Sequence, residues 1–370
     1  MWFFVGFMFL IFILMGITIG ITPFYSRQAT PFGVSVPKKY PFVERYKKRY
    51  AVWNIAFSMF IGLPLFYLPF IDSFDEAEMI AAIYTLIAIL LYMLLSFGLY
   101  LKYRKEILDW KQTLPKEEQE KAKKVIIDVN FHRQLKTRSN FSFFIWQVII
   151  ILIPIVFIFA FYDAIPNGIP INWDLNFEVN RTMEKSLWTV LALPFLQVML
   201  IPVFHYSRYS ILVSKQKLSP LEPVEASAKS RHFRQAWSNF LFWMTLATQL
   251  LLSGLVLFSM FSQGKMGWIM FVFIVIYMVF TIGGTVYLSY KYGQAGEKLL
   301  KEDERYYKDT EEDGSWLWGV FYFNKEDPSI FVEKRFGIGP TLNLARYQAW
   351  LFVGGTILLM IVMILWSFTL

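Results

Sequence analysis

The chain has 370 residues, of which 56% are apolar and 17% charged, with a net charge of +8 and no cysteine. A water-soluble core of this size cannot hide that much apolar surface, so the composition calls for lipid as a solvent. Lack of cysteine excludes disulfides, thiolate metal sites and cysteine nucleophiles.

Charge-free stretches of about 18 residues or more are long enough to cross about 30 Å of hydrocarbon as helices. Eight occur, over 2–22, 51–70, 79–101, 142–162, 186–205, 237–261, 267–290 and 347–369. They predict an all-α polytopic membrane helix bundle of about eight transmembrane helices. Loop 23–50 holds 7 Lys and Arg, 102–141 holds 11, 206–236 holds 6 and 291–346 holds 9, so 33 of the 36 basic residues lie in alternate loops. The positive-inside rule puts those four loops in the cytoplasm and both termini outside the plasma membrane. The outer loops then carry a net −5 and the inner ones +13. The basic surplus is thus a topology signal, and the lipid bilayer, not nucleic acid, is the expected partner.

The first span has no basic residue before it and a run from Lys38 to Arg49 after it, which reads as an anchor with its N-terminus out and not as a cleaved signal peptide. Its Gly16 and Gly20 either seat another helix closely or give a lipid-facing segment flexibility. In chain order the segments are a three-helix region (1–141), a helix pair with a structured outer loop (142–206), a second helix pair (207–290), a cytoplasmic module (291–346) and a last span (347–370).

Ion-driven carriers place ionisable groups or broken helices at mid-membrane. Here the polar groups within the spans are neutral: Asn54, Gln147, Gln197, Thr245, Thr248, Gln249 and Thr281. Such groups more often join helices than bind a substrate. Pro64, Pro154, Pro194 and Pro202 predict kinks in spans two, four and five, so a transport cavity stays open as an alternative. His132, His205 and His232 show no metal-ligand spacing, and there is no Walker loop, nucleophile elbow or dinucleotide fingerprint. No catalytic residue, metal site or cofactor is expected, and the chain reads as non-enzymatic.

Three loops look structured. In the outer one, Pro166 and Pro170 bracket a turn at Asn167-Gly168 ahead of a short apolar alternation, which predicts an extended cap. Its Trp173 and Tyr162 fit either interfacial anchors or a binding surface. In the last basic loop, 315–323 and 329–336 are β-prone runs about a turn at 324–328, predicting a cytoplasmic β-hairpin with an aromatic face. A lone hairpin is unstable, so it should pack on helix ends, bind a partner, or both. The runs 131–141 and 231–240 both finish in Ser-Asn-Phe, with Ser139 and Ser238 as natural N-caps. Leu114-Pro115 opens a charged segment expected to lie as a helix along the inner surface. The candidate contact surfaces are Asn167, Asn172, Trp173 and Asp174 outside, and Trp316, Trp318, Phe321, Tyr322, Lys334 and Arg335 inside.

Ile165-Pro166, Ile169-Pro170-Ile171-Asn172-Trp173-Asp174 and Glu184-Lys185-Ser186 resemble the short domain of unknown function in SdpI-type bacterial membrane immunity proteins. Members read I-P-x-H-W-N followed by a glycine and an acidic residue; here Asn172 stands for the histidine, Phe177 lies near the glycine and Asn180 near the acid. The likeness covers spans four and five with their loop. Phe321-Tyr322-Phe323-Asn324, Asp327-Pro328 and the run Val332 to Gly339 resemble a second uncharacterised module at the C-termini of related Gram-positive membrane proteins, whose pattern Phe32-Gly33-Val34-Ser35-Val36-Pro37 also fits. The SdpI resemblance implies protection from a secreted toxic peptide outside and, from the type example, sequestration of a cytoplasmic regulator inside. A transporter or permease component, or a structural partner of another membrane protein, are the alternatives.

Overall fold

The structure, a computed structural model, describes residues 2–115, 128–173, 179–216, 218–219, 221–261, 267–301, 305–306 and 313–369. Its long helices are α1 (Trp2–Gly20), α2 (Pro41–Gly62), α3 (Phe74–Gln112), α4 (Asn140–Ala160), α5 (Leu187–Val213), α6 (Pro223–Phe261), α7 (Gly267–Tyr292) and α8 (Tyr347–Thr369). Among the described residues seven are long and apolar enough to cross a membrane, and α8 is apolar over Tyr347–Val362. The strands are β1 (Gly168–Trp173), β2 (Val179–Glu184), β3 (Trp316–Leu317), β4 (Phe321–Tyr322), β5 (Phe331–Glu333) and β6 (Pro340–Leu342). They form three antiparallel pairs, β1 with β2, β3 with β4 and β5 with β6. The protein is a multi-pass all-α bundle with small hairpins.

Two helices outrun the charge-free stretches that predict them. α3 and α6 have 39 residues each, about 58 Å at 1.5 Å per residue and nearly twice the hydrocarbon thickness. Lys, Arg and Glu end a membrane span without ending a helix, because they are good helix formers. One consequence corrects the capping expectation. Ser139 does cap α4, its Oγ accepting from Ser142 N at 3.0 Å, but Ser238 lies inside α6, which starts at Pro223. Pro64 opens a 3₁₀ segment, Leu63–Phe70, that finishes span two. The predicted helix from Leu114 falls largely outside the described residues.

The chain divides into two compact units: Met1–Val129, Lys215–Ser230 and Ser289–Ala345 in the first, and Asn130–Ser214, Arg231–Leu288 and Arg346–Leu370 in the second. In the first, α1 lies against α2 with its two glycines in the contact. A Cβ on Gly16 would fall 2.0 Å from Ser58 Oγ, and one on Gly20 3.0 Å from the Ala51 backbone. The pair therefore seats a helix. Between α2 and α3 a polar ladder crosses the apolar region: Asn54 Nδ2 donates to Tyr50 O at 2.8 Å, Tyr92 Oη to Asn54 Oδ1 at 3.0 Å, and Tyr50 Oη shares a 3.0 Å bond with Ser96 Oγ.

In the second unit Pro154 has no N–H to give the Ile150 carbonyl one turn earlier. Ser253 Oγ of α6 donates to that carbonyl instead, at 3.2 Å. Gln197 of α5 donates in turn to Ser253 Oγ at 3.0 Å and to Gln249 O at 2.8 Å, and Gln249 Nε2 returns a 3.2 Å bond to Gln197 O. The span glutamines thus tie α4, α5 and α6 together. At the basic end, buried Arg208 gathers both Ser-Asn-Phe segments: its Nη1 donates to Asn140 Oδ1 at 2.6 Å and its Nε to Ser238 Oγ at 3.0 Å.

Candidate functional site

Two places carry the residues singled out by sequence, one in each unit. The first is the hairpin between α4 and α5. After α4 ends, a 3₁₀ turn at Tyr162–Ala164 redirects the chain. Ile165 and Ile169 then bury against Ile158, Val190, Val256 and Met260. Pairing starts in regular register, Gly168 opposite Glu184 and Ile169 opposite Met183, and becomes irregular after Pro170, with Asn172 opposite Arg181 and Trp173 opposite Val179. Proline cannot donate to the ladder, which makes such an irregularity natural there.

Lys185 staples the base of this hairpin. Its backbone N donates to Asn167 O at 2.8 Å, its Nζ to Ile165 O at 2.9 Å, and the ammonium lies 5.0 Å from the Tyr162 ring centre. Ser186 accepts from Thr189 N at 3.1 Å and caps α5. Beside the hairpin, at the same end of α4 and α6, Phe157, Phe161, Ala164, Leu257 and Phe261 line an open apolar cleft of about 400 Å³. The rings of Phe157 and Phe161 are 5.8 Å apart, and those of Phe161 and Phe261 6.5 Å. Of the predicted outer surface, Asn167 is exposed at the base of the hairpin and not in a turn with Gly168, which already opens β1, the backbones of Asn172 and Trp173 lie in β1, and Asp174 falls outside the described residues.

The second place is the module formed by the last basic loop. A single hairpin joining 315–323 to 329–336 is the sequence expectation, and the structure corrects it. The first run folds back on itself, Trp316 pairing with Tyr322 and Leu317 with Phe321, while Phe331 to Glu333 pairs with Pro340 to Leu342. The cause is local: Trp318 and Gly319 both adopt positive φ, 51° and 77°, and turn the chain within three residues. Asp327 then organises the stretch meant as the turn. It accepts from Tyr322 Oη at 2.9 Å, Lys215 Nζ at 2.7 Å and Ser329 N at 3.0 Å. Burial pushes its carboxyl up, but these donors prevail and hold it at about 2.

Alternation along β3 and β4 divides the predicted inner surface. Trp316 and Tyr322 are 2% and 0% exposed with their tilted rings 5.0 Å apart, whereas Trp318 and Phe321 are 60% and 44% exposed. Arg335 is buried, its guanidinium 5.1 Å from the Trp316 ring and its Nη1 donating to Gly33 O at 3.1 Å. Lys334 is half-buried, and burial pushes its ammonium below the usual range. Trp316, Tyr322 and Arg335 therefore belong to the core of the module, and Trp318 and Phe321 to its surface.

Sequence reading missed the residues that join this module to the first basic loop. Arg27 and Glu333 form a buried ion pair, and Ser26 Oγ accepts from Gly337 N at 2.7 Å. Asp313 accepts from Arg335, from Lys111 Nζ at 2.6 Å and from both Ser35 N and Ser35 Oγ at 3.1 Å. Burial raises the Asp313 carboxyl, and Arg335 and Lys111 outweigh it to hold the group below the usual carboxylate range. Phe32, at φ 48°, places its ring 5.4 to 6.0 Å from those of Tyr50, Tyr100, Tyr103 and Phe336. The signals were a lone Arg27 just after the first span and an acidic residue inside a β-prone run.

Arg27, Glu333, Asp313 and Arg335 each face an opposite charge, an arrangement suited to rigidity. Among the described residues there is no group of three or more His, Cys, Asp or Glu able to hold a metal ion.

Residues 149–198, which span the α4–α5 hairpin, match a domain of unknown function (DUF1648), and residues 325–350, within the module and the start of α8, match a family of unknown function (DUF5808). No curated protein and no solved structure matches the chain. It is, then, a multi-pass membrane protein in which the segment around the β1–β2 hairpin is similar to a domain of unknown function and the segment around the Asp327 turn to a family of unknown function.

Proposed function

We propose that the protein is a non-enzymatic membrane sensor or immunity protein, lying in the plasma membrane with both termini outside, whose β1–β2 hairpin meets a secreted, largely apolar peptide. The observation that carries this reading is the open aromatic cleft of Phe157, Phe161 and Phe261 beside a hairpin stapled by Lys185. A fixed polar edge next to an apolar recess suits an amphipathic peptide arriving from the membrane surface. The occurrence of DUF1648 in SdpI-like membrane proteins supports the same direction. A cytoplasmic regulator would meet the charged rim of the module, where Lys325 and Glu326 are exposed.

The test is a gene deletion challenged with envelope-active peptides and complemented in turn by the wild type, Trp173→Ala and Phe161→Asp. Heightened sensitivity of the deletion, rescued by the wild type and not by either variant at equal expression, is the expected result. Unchanged sensitivity in the deletion sinks the proposal.

A transporter or permease component is the second reading, and one observation favours it. The buried side-chain oxygens of Gln147, Gln197 and Gln249 have no hydrogen-bond partner among the described residues, and polar groups facing the interior of a bundle are a means of holding a small solute or cation. Flux in proteoliposomes that is lost in Gln197→Leu would select this reading; equal leakage from empty and loaded vesicles would remove it.

A further inference from the structure

We propose that the β3–β4 hairpin is a membrane-inserted wedge, whose outward face dips into the lipid headgroup and upper acyl region at the basic end of α3. Residues opposite each other on a hairpin share a face, and here the outward pair is Leu317 and Phe321, 54% and 44% exposed. Trp318 and Phe323 extend the same patch at 60% and 41%. Four large apolar side chains on one short hairpin, with no charge between Ser315 and Phe323, make a surface that water does not favour.

The place of the hairpin decides what covers that surface. The Trp318 ring lies 6.2 Å from that of Phe97, edge to face, and Tyr100 Oη donates to Trp318 O at 3.1 Å. Phe97 precedes Lys102, the first charge at this end of α3, by about 7 Å along the helix axis, so it lies within the apolar span. Met93, Leu94 and Phe97 of the same helix are themselves exposed, as a lipid-facing surface must be. The hairpin thus continues the apolar face of α3 sideways, at the level where aromatic belts form. Lys102 and Lys105 are exposed just beyond, in position to meet anionic headgroups.

The tip is held there at a cost. A tryptophan at φ 51° is strained, because its Cβ crowds the backbone in the left-handed region. Gly319 beside it permits the fit, since a Cβ there would fall 2.9 Å from Gly33 Cα and 2.5 Å from Arg104 Nη1. Tyr100 bonds the backbone at Trp318, Gly33 and Arg104 lie close against Gly319, and the side chains of Leu317, Trp318 and Phe321 are turned out. A soluble partner for this patch would have to enter the bilayer interface to reach it, whereas lipid is already there.

The absence of cysteine makes the test direct. Phe321→Cys, Phe323→Cys and Lys325→Cys chains are labelled with an environment-sensitive nitrobenzoxadiazole dye. They are then reconstituted at full length into vesicles of phosphatidylcholine and phosphatidylglycerol, with or without lipids brominated near the headgroup. Labels at 321 and 323 should emit to the blue of the label at 325 and be quenched several-fold more by the brominated lipids, while aqueous iodide quenches the label at 325 best. Should Phe321→Cys fail to purify as a folded chain, Phe323→Cys reads the same face. Water-like emission and equal lipid quenching at all three positions in the purified, partner-free protein would overturn the proposal.

Discussion

Glu333 and Arg27 illustrate how a single buried charge can depend on a residue three hundred positions away. Both side chains are nearly inaccessible, at 5% and 1%, so removing one leaves an uncompensated charge in a low-dielectric site, a change that typically costs about 3–5 kcal/mol. Glu333→Ala should therefore lower the melting temperature of the detergent-purified protein markedly. The double change Arg27→Met with Glu333→Leu should recover most of the loss, because an apolar pair of similar volume needs no compensation. Asp327 gives a pH signature of its own. Its carboxyl sits at about 2 in the folded protein against about 3.9 in an unfolded chain. A depressed carboxylate stabilises the fold fully above the unfolded value and loses that contribution as pH falls toward the folded one. The melting temperature of Asp327→Asn should thus lie below that of the wild type near neutrality, and the gap should close as pH drops from about 4 toward 2. A gap that is constant over that window would show that the carboxylate charge is not what matters.

Among the elements, the α1–α2 contact is the most sharply defined. Gly20 approaches the Ala51 backbone so closely that any side chain must push the helices apart. Gly20→Leu should cost about 1–3 kcal/mol, the usual range for overpacking. Gly6→Leu on the same helix should be silent, since nothing lies within 4 Å of a Cβ there. Thermal unfolding of the two variants in one detergent compares them directly. The sequence pattern of Gly16 and Gly20 left lipid-facing flexibility open as an alternative, and the structure decides for packing. The glutamines of spans four to six were legible as polar glue. Their partners were not, because the Ser253 to Ile150 bond depends on a carbonyl that Pro154 leaves unbonded on another helix.

For the whole molecule, the alternation of basic and acidic loops makes the proposed topology testable. With the natural chain free of cysteine, Ser73→Cys should react from outside intact cells with a membrane-impermeant maleimide, and Val224→Cys only after the membrane is opened. Both positions are exposed, so a failure to label cannot be ascribed to burial. The reverse pattern would invert the topology and move the β1–β2 hairpin to the cytoplasm, removing the secreted peptide as its ligand. The aromatic wedge on β3–β4 would survive that inversion, as it depends on the depth of Phe97 and not on which side is inside.

The sequence by itself determined the class, the membrane spans and the location of the two unusual loops, because crossing lipid imposes a length and a charge rule on contiguous residues. It read the Pro166 to Pro170 segment as an extended cap but set a turn at Asn167-Gly168, where Gly168 already pairs with Glu184 in β1. Only the tertiary structure decided which half of the aromatic run is core and which half is surface. Trp316 and Trp318 are chemically alike and two residues apart, yet one packs between Tyr322 and Arg335 while the other is turned out beside Phe97. It likewise decided that the first and last basic loops make one body. Arg27 with Glu333 and Ser35 with Asp313 meet across most of the chain, and neither a span rule nor a propensity reaches that far, since both act on neighbours in sequence while these pairs exist only once the helices between them have packed.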